Sequence, residues 1–398
     1  MKKLLLLNVL LVLLIISGCS DTEKIISDKN TFVAGQDNQY MYEDVWYGST
    51  LQRGDGGYYF LKDNFIYFIH KDMSVYPLCN KSDCLHNKEI DEDEKHSCNA
   101  YIEGDFLPAE QVIQYYNNSI YYMDNSKIEK EGLYLKRIDL SAQQTETVYN
   151  IKAMSIDQWI IHRNYLYYAL SSVTTTDEKG RERATEDCSI YSLNLEDKSV
   201  KTVADFNSKG LILQQTLNMQ AYGNYVYFDC STVKKGTGIL DANNDSFNDS
   251  RYVYDIKNDE FYSLTQKVKG DTPTFCGYFK DKLIYLSGDN CIYTCNLNGE
   301  NTTKLFDYDK KYNGYNIFSD GNYIIFEEIE KAPGVYILFD KKGKLINKVK
   351  MPFIVDPQLP YDDEYIIRLT EDDKLQAVSK KDIATKKKLT SKIIYEFS

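Results

Sequence analysis

The chain reads as an all-β protein and, within that class, as a β-propeller of seven four-stranded blades. Three observations lead there. First, one short pattern recurs, a turn residue or two followed by an apolar and aromatic run. It appears as Asp63-Asn64-Phe65-Ile66-Tyr67-Phe68, Asn117-Asn118-Ser119-Ile120-Tyr121-Tyr122, Arg163-Asn164-Tyr165-Leu166-Tyr167-Tyr168 and Gly223-Asn224-Tyr225-Val226-Tyr227-Phe228. Later copies are Asp281 to Leu286, Asp320 to Phe326 and Asp362 to Ile367. Second, most copies are followed by another strand-like run, such as Leu133 to Leu140 or Ile190 to Leu195, then a polar turn and a fourth short strand. The unit is four antiparallel strands joined by hairpins. Third, Tyr makes up 35 of 398 residues, against 2 Trp and 7 Pro, and Tyr favours pleated, half-buried surfaces.

With Tyr67, Tyr121, Tyr167, Tyr227, Tyr285, Ile325 and Ile367 as markers, the steps are 54, 46, 60, 58, 40 and 42 residues. Four-stranded blades take about 40 to 50 residues, so the longer steps carry insertions. Six or eight blades fit the same spacing if Met41 to Trp46 closes a ring or starts a blade. A sandwich would not repeat one signature so regularly. The runs resemble bacterial propellers of the TolB-like class and the YWTD propellers of lipoprotein receptors, most closely at Ile120-Tyr121-Tyr122-Met123-Asp124 and Tyr225-Val226-Tyr227-Phe228-Asp229.

Ahead of the repeats, Lys2 and Lys3 precede an apolar stretch from Leu4 to Ile16, broken only by Asn8 and followed by Ser17, Gly18 and Cys19. That is a charged, apolar and small-residue order of a signal peptide spanning 1–18. It falls short of the roughly 20 residues a membrane-crossing helix needs. Ile16-Ser17-Gly18-Cys19 resembles the lipobox of bacterial lipoproteins, which implies diacylglycerol on Cys19 and two or three acyl chains for stable attachment. Residues 19–40 are polar and without period, so they read as a lipidated tether; 41–398 is the propeller. The expected location is the outer face of the cytoplasmic membrane of a bacterium, with the membrane as partner through the lipid.

Charge narrows the partners further. Lys plus Arg is 47 against 59 Asp plus Glu; without Lys2 and Lys3 the mature chain carries 45 against 59, a net −14. Such a charge disfavours nucleic acid and anionic bilayer surfaces.

The densest chemistry lies at 79–101, where Cys79-Asn80-Lys81-Ser82-Asp83-Cys84-Leu85-His86 is followed by His96-Ser97-Cys98-Asn99-Ala100-Tyr101. Cys79, Cys84, His86 and Cys98 form a complete tetrahedral set for zinc, and a closed set is structural rather than catalytic. An exported protein also forms disulfides readily; a single Cys–Cys bond would leave one spare thiol, and the pairing is not legible in sequence. The segment resembles a family of mostly uncharacterised propeller lipoproteins from anaerobic Gram-positive bacteria, which carry a Cys-Cys-His-Cys element after the first blade. Here Ser82 stands where that family has proline, and Asn87 to Ser97 is longer and more acidic.

A second candidate is Asp241-Ala242-Asn243-Asn244-Asp245-Ser246-Phe247-Asn248-Asp249, whose Asp241, Asn243, Asp245 and Asp249 have the spacing of a calcium loop. Ser246 replaces the turn glycine, and Tyr252 stands where a bidentate Glu would close the shell, so a solvated hairpin turn competes with calcium.

Enzyme signals are thin. There is no Gly-x-Ser-x-Gly elbow, His-Glu-x-x-His, phosphate loop or Rossmann glycine pattern. Glu327, Glu328 and Glu330 have the residue type of glycosidase acids but read as a solvated strand end. The expectation is an extracytoplasmic binding or scaffold protein for a protein, peptide or glycan, its exposed Tyr supplying contacts. The alternative is a propeller hydrolase or lyase acting on an extracytoplasmic polymer.

Overall fold

A computed structural model describes residues 29–33, 35–38, 51–82, 84, 86, 91–103, 113–126, 131–140, 144–153, 156–170, 174–176, 182–184, 189–235, 247–279, 281–312, 315–328, 334–352, 364–370 and 372–397. Their strands form seven antiparallel blade sheets, a seven-bladed propeller, and one two-stranded ribbon inserted between the second and third strands of blade 3. Blade 1 runs from Leu51–Gly54 to Val75–Pro77, blade 2 from Ile113–Tyr116 to Gln144–Ile151, blade 3 from Trp159–His162 to Val200–Asp205 and blade 4 from Leu211–Tyr222 to Glu260–Ser263. Blades 5 and 6 run from Thr274–Phe279 to Thr303–Asp307 and from Asn316–Ser319 to Leu345–Lys350. Blade 7 is described by three strands, Tyr365–Leu369, Lys374–Ser379 and Lys392–Glu396.

The core is not central but lies in the seams between blades. Ile120 and Tyr122 pack toward blade 1, while Tyr121 and Met123, on the opposite pleat, pack toward blade 3. A strand buried on both faces needs no polar alternation, which is why each repeat appears in sequence as an unbroken apolar run. The last seam closes the ring: Ile367, Leu375 and Ala377 of blade 7 join Leu51, Phe60 and Tyr67 of blade 1. Phe397 stands edge-on to Tyr67 at 5.1 Å between ring centroids. At its rim Lys62 Nζ lies 2.9 Å from both Asp63 and Asp373.

Two expectations about the repeats change. Tyr67 lies in the third strand of blade 1; the second strand is Gly57–Lys62, entered from its own turn at Asp55-Gly56. Both hairpins of that sheet carry the same turn-then-aromatic signature, so the marker fell one strand late without altering the blade count. The tyrosines fill the seams, and the exposed ones expected to supply contacts are few: among the described tyrosines only Tyr76 is largely exposed, at 45%. Their rings bury apolar area while the hydroxyls reach backbone carbonyls, as Tyr227 does to Leu297 and Tyr285 to Lys269, each at 2.8 Å.

The two ends of the blades are built differently. At one end, here the turn face, first strands return through tight hairpins. Asn117-Asn118 and Arg163-Asn164 turn there with both residues at positive φ, 47° and 56° and then 49° and 68°, the backbone of a two-residue hairpin that follows strand twist. At the other end, the loop face, the chain inserts extra structure. Residues 78–103 follow the outer strand of blade 1, a ribbon of Thr174–Thr176 and Glu182–Ala184 rises from blade 3, and blade 4 extends its strands to Leu211–Tyr222 and Tyr225–Lys234. Residues 29–33 and 35–38, in the distal part of the stretch read as a tether, lie on the turn face, with Asp37 and Asn38 buried.

Candidate metal centre on the loop face

The insertion after blade 1 is assembled from its edge outward. Leu78 N–H donates to Ile66 O at 2.8 Å, and Ile66 N–H donates to Ala100 O at 2.8 Å, so both arms of the insertion attach to the third strand of blade 1. Between them a short helix, Glu92–Ser97, starts at Asp91, whose carboxylate accepts from Glu94 N–H at 2.9 Å. The helix delivers Cys98, whose N–H donates to Lys95 O at 2.9 Å. His86 takes a positive φ of 51°. Its carbonyl accepts from the Tyr67 hydroxyl at 2.8 Å, and its ring stands edge-on to Phe65.

These anchors bring together the four residues singled out from sequence. The ligand atoms of Cys79, Cys84, His86 and Cys98 all lie within 4.8 Å of one another, and the thiols are free. Zinc bonds of about 2.3 Å to sulfur and 2.0 Å to nitrogen place tetrahedral ligands roughly 3.5 to 3.8 Å apart, so the cage needs only a small contraction. His86 Nε2 is buried without a hydrogen-bond partner, as expected of an imidazole whose lone pair is reserved for a cation. Burial lowers its proton affinity, keeping the ring in the neutral form that ligates. Burial also pushes the Cys98 thiol up to about 12 and raises that of Cys84. Without a cation these sulfurs hold their protons; a divalent ion would displace them. Cys98 Sγ accepts the Ala100 N–H at 3.4 Å, an outer-shell contact that steadies a thiolate. His96 stays outside the set, stacked on Tyr101.

Other candidates fare differently. Asp241, Asn243 and Asp245 lie outside the described residues, while Asp249 is a strand residue opposite Ser231; no calcium shell is supported. Cys19 also lies outside them. Glu327 is buried rather than solvated. It faces the seam between blades 6 and 7, and burial raises its carboxyl to about 7, with Asn316 Nδ2 donating to it at 3.4 Å. Glu328, its neighbour on the strand, points to the opposite face, so the two do not form an acid pair.

One feature had been missed. A cavity of about 240 Å³ opens where blades 4 and 5 meet on the loop face, lined among others by Asn218, Asp229, Asp249, Arg251 and Phe275. Arg251, 3% exposed in its side chain, grips Asp229 through Nε at 2.6 Å and through Nη2, and lies 4.8 Å over the Phe275 ring. The available signal was a charge inside each of two aromatic strands, Tyr225-Val226-Tyr227-Phe228-Asp229 and Arg251-Tyr252-Val253-Tyr254, which pair directly across the sheet.

No protein-family model matches the chain, and no curated protein does. Solved structures share its fold. The tricorn protease aligns over 91% of this chain and 36% of its own, at 11% identity and a TM-score of 0.50. An oligogalacturonate lyase in complex with manganese aligns over 90% and 88%, at 13% identity and 0.46. TolB from Acinetobacter baumannii aligns over 78% and 64%, at 13% identity and 0.34. The chain thus spans about a third of the tricorn protease chain, and likeness at this identity establishes a β-propeller and nothing finer.

Proposed function

We propose that the chain is a lipid-anchored extracytoplasmic binding or scaffold protein whose loop face engages a protein, peptide or glycan. One observation carries this reading: the insertions after blade 1, in blade 3 and in blade 4, and the blade 4–5 cavity, all lie on one face, the one opposite the tight hairpins by which first strands return. Loops held by a rigid scaffold are where binding residues concentrate. In this reading Cys79, Cys84, His86 and Cys98 hold one zinc ion that shapes the first insertion without an open coordination position, so its role is structural. The hydrolase or lyase alternative is less well served. Glu327 has the raised proton affinity of a general acid, but it is enclosed between blades and does not line the blade 4–5 cavity.

The test is photo-crosslinking in intact cells, with a photoreactive residue at Lys234 on the loop face or at Glu196 on the turn face. A partner captured from Lys234 and not from Glu196 supports the reading; capture from Glu196 alone overturns it.

A further inference from the structure

Residues 29–33 and 35–38 are fastened to the propeller by a network that is almost entirely buried. Arg163, 2% exposed in its side chain, donates through Nε to Asp37 Oδ1 at 2.7 Å and through Nη2 to the carbonyls of Lys29 at 2.7 Å and Thr31 at 3.3 Å. Its own N–H donates to Gln36 O at 2.8 Å. Asn38 N–H donates to His162 Nδ1 at 3.0 Å, and its side chain donates to Gln114 Oε1 at 3.4 Å. Next to them the backbones touch: a Cβ added at Gly223 would stand 2.8 Å from the carbonyl carbon of Asn30. Gln114, His162 with Arg163, and Gly223 belong to blades 2, 3 and 4. The contacts with His162, Arg163 and Gly223 are at the turn-face end of a first strand or in the hairpin that follows it, and Asn38 reaches inward from there to Gln114.

From this the geometry points to the orientation of the molecule on its membrane: the turn face looks toward the bilayer, and the loop face is the surface offered to a partner approaching from the far side. The inference rests on the lipid-anchor reading of Cys19 and deepens it by naming the surface left free. Ten residue steps separate Cys19 from Lys29, a reach of at most about 35 Å when fully extended. The 12-residue first strand of blade 4, Leu211–Tyr222, is alone about 40 Å long and leads away from the turn face. With the loop face against the headgroups, the link from Cys19 would have to climb the whole height of a blade and travel around its edge as well, farther than it reaches. The metal insertion, the blade 3 ribbon and the blade 4–5 cavity therefore face outward together. A free tether of the full stretch 19–40 would have imposed no such order.

The full-length lipidated protein, in phosphatidylcholine–phosphatidylglycerol vesicles containing a trace of acceptor-labelled lipid, provides the test. A donor dye is attached through a p-azidophenylalanine at Glu196, in a turn-face hairpin of blade 3, or at Lys234, at the loop-face end of blade 4; both positions are exposed. Flotation with the vesicles is read first. Protein that does not float overturns the anchor and the orientation together. For protein that floats, energy transfer at least three-fold stronger from Glu196 than from Lys234 is expected, whereas equal transfer, or stronger transfer from Lys234, overturns the orientation and leaves the anchor standing. A flexible insert of 30 Gly and Ser residues between positions 28 and 29 leaves the fold and the lipid intact. It should bring the ratio close to one; a ratio unchanged by the insert overturns the role given to the short link. Arg163→Gln, if it folds, should have the same effect by freeing residues 29–38.

Discussion

Glu327 and His162 are single residues whose burial gives the molecule opposite responses to pH. Glu327 is 5% exposed, and its carboxyl is raised to about 7 chiefly by burial. Between its ordinary value near 4.5 and about 7 the native state keeps a proton that the unfolded state has released, so stability falls as pH rises through that window. Glu327→Gln should leave stability at pH 4.5 nearly unchanged and raise it at pH 8 by about 2 kcal/mol, the larger part of what proton linkage assigns to this window at roughly 1.4 kcal/mol per pH unit. Urea unfolding at the two pH values checks this, and equal effects at both would refute it. His162 is fully buried, accepts from Asn38 N–H through Nδ1 and donates from Nε2 to Gly223 O at 2.8 Å. Burial lowers its proton affinity to about 4. Here the unfolded state takes up the proton first, so stability is lost as pH falls from about 6.5 toward 4. His162→Gln, neutral throughout, should flatten that acid limb in the same measurement. Neither behaviour was legible in sequence. Glu327 sits beside Glu328 and Glu330 in what reads as a strand end, and the partner of His162 is 124 positions away.

At the scale of an element, the insertion after blade 1 was the most legible part of the site. Three of the nine cysteines and two of the four histidines lie within 20 positions there, and their spacing already matched a closed tetrahedral set. Sequence left metal or disulfide open; the structure brings an imidazole and three free thiols together in a set that could hold a metal ion. Purified without an affinity tag, the protein should carry close to one equivalent of zinc by elemental analysis. Cys84→Ser should lose it while the far-ultraviolet signature of the blades persists, because the insertion joins only the two seams that flank blade 1, through Cys98, Ala100 and Ile102, and the other five bury their core without it. Chelation should lower the melting temperature, since an ion bound only by the native state stabilises it by mass action. Acid should release the ion as the thiolates take up protons, exposing three alkylatable thiols. Metal-free protein with a Cys–Cys crosslink in its mass spectrum would rule the site out. The calcium loop, by contrast, rested on spacing alone; its one described member, Asp249, serves a strand.

For the whole molecule, the ring closes between its first and last blades without a covalent bond among the described residues. Lys62, 8% exposed in its side chain, bridges Asp63 and Asp373 and lies 5.4 Å over the Phe397 ring. Lys62→Met should keep the aliphatic packing yet cost about 1–2 kcal/mol, the acids being partly exposed and so screened; faster proteolysis within 364–397 than elsewhere would mark that seam as the one that opens. The sequence by itself determined the class, the repeat and the four ligand residues. Each is a local property: strands buried on both faces write continuous aromatic runs, hairpins write Asn-rich turns, and a knuckle places its ligands within 20 positions of one another. Only the tertiary structure decided that the blades number seven rather than six or eight, that the insertions after blades 1, 3 and 4 share one face, and that residues 29–33 and 35–38 are docked rather than free. Those outcomes depend on pairs such as Lys62 with Asp373 and Arg163 with Asp37. Such partners are brought together by the closure of the ring, and no period along the chain announces them.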